Sequence, residues 1–315
     1  MGANAPLVLE QGRMSEASKG EKEQRRKRDT GTRSLVRLMI LFALFAFPGK
    51  LLSQTTLDDL RNKLAVGSTE ERRSALFEIR SFHTEEASRI AIPALSDKFD
   101  MVRATAVSSV VFLPHDEAIK LLLPILKDDS DFVRRETAFA LGELGDPAAA
   151  PALIEDLKKE NSIENRSAAA MALGRLGNPE AIETLLAILK AKPSESQGFV
   201  RGSAARSIGE IAQTIRFGKH QRTTPQNFLP DKYKKAFGEN DNINLPAVFT
   251  NAVPVLVKVL ENTRESNDAR REAAFALGAI GSPDSFGRLQ SCSTSQEYYL
   301  AEICKEGLLK PQPPK

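Results

Sequence analysis

Tryptophan is absent from this 315-residue chain, and aromatic side chains make up 6% of it. A core built on large rings is thereby excluded, and small apolar side chains must fill the interior. Histidine occurs three times, at His83, His115 and His220, with no two within four positions, so no helical metal pair exists. HExxH, CxxC, GxSxG and phosphate-loop patterns are all missing. These absences remove the common hydrolase, redox and nucleotide signatures, and the chain is expected to be no enzyme, with no cofactor and no metal. Strong charge of one sign is also lacking. The formal net charge is +3, and residues 1–50 carry ten Lys/Arg against five Asp/Glu. What remains holds 34 basic and 36 acidic residues. A nucleic-acid partner is not expected, because a binder of this size needs a basic face worth several phosphate contacts.

What is present is a short helix written again and again. Arg72, Arg103, Arg134, Arg166 and Arg201 follow at steps of 31, 31, 32 and 35 residues, and Arg270 comes 69 later. Counting from the residue before each arginine, apolar or small residues recur at offsets of five, eight and eleven. Val133 leads to Ala138, Leu141 and Leu144; Val200 leads to Ala205, Ile208 and Ile211. These offsets sit close to multiples of 3.6 and mark one helical stripe. A second helix follows, with i, i+4 leucine pairs such as Leu122/Leu126, Leu153/Leu157 and Leu185/Leu189. The joints read Leu-Gly-Asp-Pro (144–147) and Leu-Gly-Asn-Pro (176–179): glycine to stop one helix, proline to start the next. Alanines at 138, 140, 168–170, 273 and 274 let helices approach closely.

This pattern resembles the short bacterial HEAT repeat of the phycobilisome-lyase-like type, over roughly residues 58–309 with one interruption. Residues 133–147 are similar to that family's consensus. The resemblance implies an all-α fold, an α-solenoid of about six HEAT-like helical hairpins stacked on a continuous core. It does not choose a function, since one fold hosts many activities. Related HEAT-repeat hydroxylases hold iron with His-Glu pairs, and no His-Glu dipeptide occurs here. Lyase relatives attach bilins, and nothing in this sequence marks a bilin site.

Four features lie outside the bare repeat. Residues 1–53 read as a basic, unstructured leader with a signal peptide. The apolar run 38–47 is ten residues long, against about 20 for a bilayer span. Pro48 and Gly49 break it, and Ser53 offers a small residue for cleavage. Residues 54–211 and 251–309 are the repeats, the latter ending in a cap, with a tail at 310–315. Residues 212–250 form an insertion with six Lys/Arg and three Asp/Glu. The insertion reads as a partner-contacting loop, through Lys219, Arg222, Tyr233, Lys234 and Lys235, as a structural or mobile segment without a partner, or as a decayed repeat in which Lys232 follows Arg201 by 31. Cys292 and Cys304, an even pair in an exported chain, permit one disulfide across the last helices.

The arginines at 103, 134, 166, 201 and 270 read as a structural ladder. Unpartnered, they would repel one another, and Asp100 and Asp131 stand three residues before two of them. His115-Asp116-Glu117 follows Pro114, where acidic residues suit a helix start. The expected role is a protein–protein scaffold in the cell envelope, periplasmic or secreted, touching a membrane only through an uncleaved leader. Exposed second-helix positions such as Glu155, Lys158, Glu183 and Lys190 would face the partner. A lyase-like enzyme or enzyme accessory is the alternative. N-terminal sequencing of the native protein is expected to start near Gln54, outside the cytoplasm. A soluble cytosolic chain starting at Met1 or Met14 would remove the leader.

Overall fold

The structure, a computed structural model, describes residues 48–218 and 245–309. It divides into two compact units after Asp59. Of the first unit the described part is residues 48–59, the opening of helix α1 (Pro48–Val66). That helix starts on a proline and runs on through Ser53.

The second unit is an α-solenoid; no strand occurs among the described residues. First helices of the repeat are α2 (Thr69–Ser81), α4 (Asp100–Ser109), α6 (Asp131–Leu144), α8 (Ile163–Leu176), α10 (Gly198–Phe217) and α12 (Asn267–Ile280). Second helices are α3 (Glu85–Ala91), α5 (His115–Leu122), α7 (Ala150–Lys159), α9 (Ile182–Lys190), α11 (Val248–Glu261) and α13 (Pro283–Cys292), and α14 (Tyr298–Leu309) closes the row of first helices. Each first helix packs on the next first helix, and from α7 onward each second helix packs chiefly on the first helix that follows it.

Local chemistry explains the joints. Gly145, Gly177 and Gly281 take left-handed φ of 67°, 68° and 62°, a conformation that other residues resist. The next residue, Asp146, Asn178 or Ser282, accepts from the amide two positions on, with proline in between. Prolines also recur inside the second-helix segments, at Pro93, Pro124, Pro151 and Pro254, each with a buried leucine two residues later. A proline has no amide to give the helix ladder, and at Pro93 and Pro124 the chain tightens into the 3-10 segments Ile92–Ser96 and Leu123–Lys127.

The same proline recurs beyond the insertion. Pro254 identifies α11 as an ordinary second helix, paired with α12. Helix α10 packs directly on α12, so the row of first helices is continuous and holds no extra member at that point. Helix α10 ends at a left-handed Gly218 (φ 73°), and residues 219–244, on which the readings of the insertion turn, lie outside the described residues.

Four successive first helices meet through glycine. A Cβ on Gly142 would lie 2.8 Å from Ala172 Cα, and one on Gly174 2.9 Å from Ser207 Cα. Gly209 faces Ala276 Cα at 2.9 Å and Gly278 faces Gly307 Cα at 2.7 Å. These contacts are with backbone, which cannot rotate away. Buried serines also bridge neighbours in this row: Ser109 Oγ donates to the Leu76 carbonyl (3.0 Å) and Ser207 Oγ to that of Ala170 (2.8 Å).

The arginines supply the second tie. Arg72 donates through Nε to Asp97 (2.8 Å), Arg103 to Asp128 (2.7 Å) and Arg134 to Glu160 (2.8 Å). Each carboxylate lies 25 or 26 residues beyond its arginine, just ahead of the next first helix. Arg103 also donates to the Asp97 carbonyl (2.9 Å), and Arg134 to that of Asp128 (2.8 Å). One acidic residue thus serves two arginines, by side chain to the earlier and by backbone to the later. Asp131 bonds Arg134 as its spacing suggests, but Asp100 bonds Ser130 Oγ (3.0 Å) instead.

The ladder has a gap and a shift. Arg166 has no carboxylate partner among the described residues, and position 191, 25 residues on, is alanine. In the last repeat Arg270 donates to the Leu260 carbonyl (3.0 Å), while its neighbour Arg271 reaches Glu297 (2.8 Å). The ruler read from sequence is off by one there.

Burial pushes the Glu160 carboxyl up, but bonds from Arg134, the Ser162 amide and Asn165 outweigh it and hold it at about 2. Asp156 moves the other way, raised to about 6 by burial and by the charge of Glu160. A depressed folded pKa gives stability that is present above about 4.5 and lost as pH falls towards 2. Arg134→Ala should therefore cost about 2–3 kcal/mol at pH 7, between exposed and buried pair values. In urea melts the deficit should shrink as pH drops from 4.5 towards 2; a pH-independent deficit would show that the rung is not electrostatic. Gly278→Ala should cost about 1–3 kcal/mol by overpacking. Gly287→Ala, where nothing lies within 4 Å of the added carbon, should be neutral or gain up to about 1 kcal/mol. Thermal melts of the pair check this; equal shifts would contradict the close-approach account.

Candidate binding cleft

The rung at Arg201 is built differently. The connection from α9 to α10 spans residues 191–197 and contains Pro193, whereas α7 and α8 are joined by residues 160–162. Arg201 lies under this longer connection, with its side chain 1% exposed and that of its partner Glu265 2% exposed. Its Nη1 donates to the carbonyls of Ile188 (2.7 Å) and Ala191 (2.9 Å), and Nη2 to that of Leu189 (3.0 Å). Nε and Nη2 both donate to the Glu265 carboxylate. All five N–H donors are used. The guanidinium thereby satisfies the carbonyls at the end of α9 that the helix itself leaves open, and the charge pair is buried with its bonds complete.

Above the pair opens a cleft of about 600 Å³ between α9, the 191–197 connection and α11. Its apolar lining comes from Leu189, Pro193, Pro254, Val255 and Val259. Lys190, Lys192 and Lys258 are exposed on its walls. Lys190 stands 3.8 Å from Glu183, while Lys192 and Lys258 form no ion pair among the described residues. The volume is within the range of ordinary ligand clefts, and the walls offer positive charge over an apolar floor.

On α10 and α12 a second charged group bridges the row of first helices. Arg206 bonds Glu210 (3.0 Å) and Glu272 (3.2 Å) and lies 5.5 Å from the Phe275 ring centre. Burial pushes the Glu272 carboxyl up, against the pull of Arg206.

Of the residues singled out by sequence, Arg103, Arg134 and Arg201 hold rungs; Arg166 and Arg270 pair with no carboxylate among the described residues. Cys292 and Cys304 are joined as a disulfide, with Cα atoms 5.8 Å apart, tying α13 to α14. Lys219, Arg222, Tyr233, Lys234 and Lys235 lie outside the described residues. Glu155 pairs with Lys158 (3.2 Å) and Glu183 with Lys190, so these second-helix charges largely face one another. His115 opens α5, and Glu117 bonds Arg89 of α3 (2.7 Å). Among the described residues no group of three His, Cys, Asp or Glu is placed to hold a metal ion. Sequence reasoning missed the cleft, and its signals were the long step before Arg201 and the recurring proline at Pro254.

Comparison with known proteins agrees with this architecture. The HEAT-repeat family pattern matches residues 57–140 and 119–209, and the PBS lyase HEAT-like repeat matches residues 269–294. A stretch of 54 residues is 44% identical to deoxyhypusine hydroxylase of Mus musculus, 17% of this chain and 18% of that protein. The Homo sapiens enzyme is 43% identical over the same length. This chain thus spans under a fifth of the curated relatives it matches. Among solved structures, an engineered protein aligns over 80% of this chain and 67% of its own, at 20% identity and TM-score 0.47. The complex of CpcE and CpcF of phycocyanin lyase from Nostoc sp. PCC7120 aligns over 80% and 86%, at 22% identity and TM-score 0.45. The expectation that the chain is no enzyme is corrected here, because the repeat segment it shares with its curated relatives belongs to an enzyme. Taken with the stacked helical hairpins, the two family patterns, over residues 57–209 and 269–294, identify the chain as a HEAT-repeat protein carrying a repeat of the PBS lyase HEAT-like type.

Proposed function

We propose that this chain works in an enzyme system that modifies or processes a protein, either as the enzyme or as the subunit that grips its polypeptide substrate. The observation that carries this reading is the 44% identity over 54 residues to deoxyhypusine hydroxylase, whose name describes an activity on a modified residue. The solenoid supports it physically. Repeat stacks present long, rigid surfaces on which side chains hold position, and such surfaces suit a polypeptide better than a small metabolite. Two clusters of unlike character lie on this stack, the lysine-walled cleft and the Arg206–Glu210–Glu272 group. The proposed place of action is outside the cytoplasm. The apolar run at 38–47 supports that, as does the disulfide, since such bonds persist in oxidising compartments.

The test compares whole-proteome modification in cells with and without the gene, by mass spectrometry, alongside capture on the tagged full-length protein. A protein that loses a covalent modification in the deletion strain and is captured by the tagged chain is the expected result. An unaltered modification pattern, with capture of proteins unconnected to any enzyme, would overturn the reading.

A further inference from the structure

We infer that the cleft over Arg201 and Glu265 is a docking site for an acidic, partly apolar polypeptide segment. The inference does not depend on the enzymatic reading above.

Charge is the first ground. Lys190 and Lys192 come from the end of α9 and the connection after it, and Lys258 from α11, two separate stretches that converge on one cleft. Glu265, the acidic side chain in the lining, is already spent on Arg201. On α7, by contrast, the exposed Lys158 and Lys159 both reach Glu155, at 3.2 and 3.3 Å. Lys192 and Lys258 have no such neighbour among the described residues. The cleft therefore carries two lysines without an ion pair among the described residues, on a repeat region that is close to neutral as a whole.

The floor decides the class of ligand. An enclosed small-molecule site normally offers a few buried polar groups that converge on the ligand. Here the buried polar group of the floor, the Arg201 guanidinium, has every donor engaged within the protein. What remains is apolar surface from Leu189, Pro193, Val255 and Val259, with flexible ammonium groups at the walls. Such a surface takes apolar side chains below and carboxylates at the edge, in a segment that adapts its own backbone. Lysine suits this role as a mobile point charge without fixed geometry.

Fluorescence anisotropy of the full-length protein with a labelled octapeptide of alternating Glu and Leu tests the proposal, with a Lys/Leu octapeptide as counterpart. The Glu/Leu peptide should bind and the Lys/Leu peptide should bind at least tenfold more weakly. Binding of the acidic peptide should weaken as salt rises from 50 to 500 mM. Lys192→Glu with Lys258→Glu should cut its affinity at least tenfold, while Lys158→Glu with Lys159→Glu on α7 should leave it unchanged. Lys192→Ser with Lys258→Ser gives a milder pair should charge reversal disturb folding, and thermal melts confirm that each variant is folded. Equal binding of both peptides, no binding of either, or equal loss from the α7 and cleft variants would overturn the inference.

Discussion

The architecture depends on how near one first helix comes to the next. At Gly142, Gly174, Gly209 and Gly278 the neighbouring backbone stands where a Cβ would be. Helices that meet this closely gain dispersion contacts along their whole interface, and side-chain hydroxyls can reach carbonyls of the adjacent helix, as Ser207 does with Ala170. The spacing of the row sets everything attached to it. It brings each arginine within reach of a carboxylate that lies about 25 residues away in sequence.

Around that close row the charged rungs act as clips at one end of the hairpins. Three of them share acidic residues, so that Asp97 and Asp128 each hold two successive arginines. The chain departs from the pattern in the middle. Ala191 stands where a carboxylate would face Arg166, and a longer connection folds over Arg201. The lysine-walled cleft is found at this departure. A regular repeat fills its own grooves; an irregular one leaves space, and on its walls here stand Lys192 and Lys258, which form no ion pair among the described residues.

Much of the fold was legible beforehand because its determinants are local. The 3.6-residue stripe, the Gly-x-Pro joints and the leucine pairs each act within one hairpin, and HEAT-like character follows from their recurrence. The interruption of the repeat shows in composition, while the direct contact between α10 and α12, on either side of it in sequence, required the tertiary structure. Asp100 was a reasonable partner for Arg103 by spacing, yet Asp128 takes the bond because the next turn of the solenoid delivers it in line with Nε.

From its own letters the chain determined that it would be helical, repetitive and packed through small residues, since those properties come from periodicity and steric bulk. It also determined where helices start and stop, through glycine, proline and serine. Only the tertiary structure decided which arginines form rungs, that Arg271 rather than Arg270 takes the final one, and that Lys190, Lys192 and Lys258 share a cleft. Those outcomes depend on distances between residues tens of positions apart, and such distances are set by the rise and rotation from one helix to the next, which no single repeat encodes.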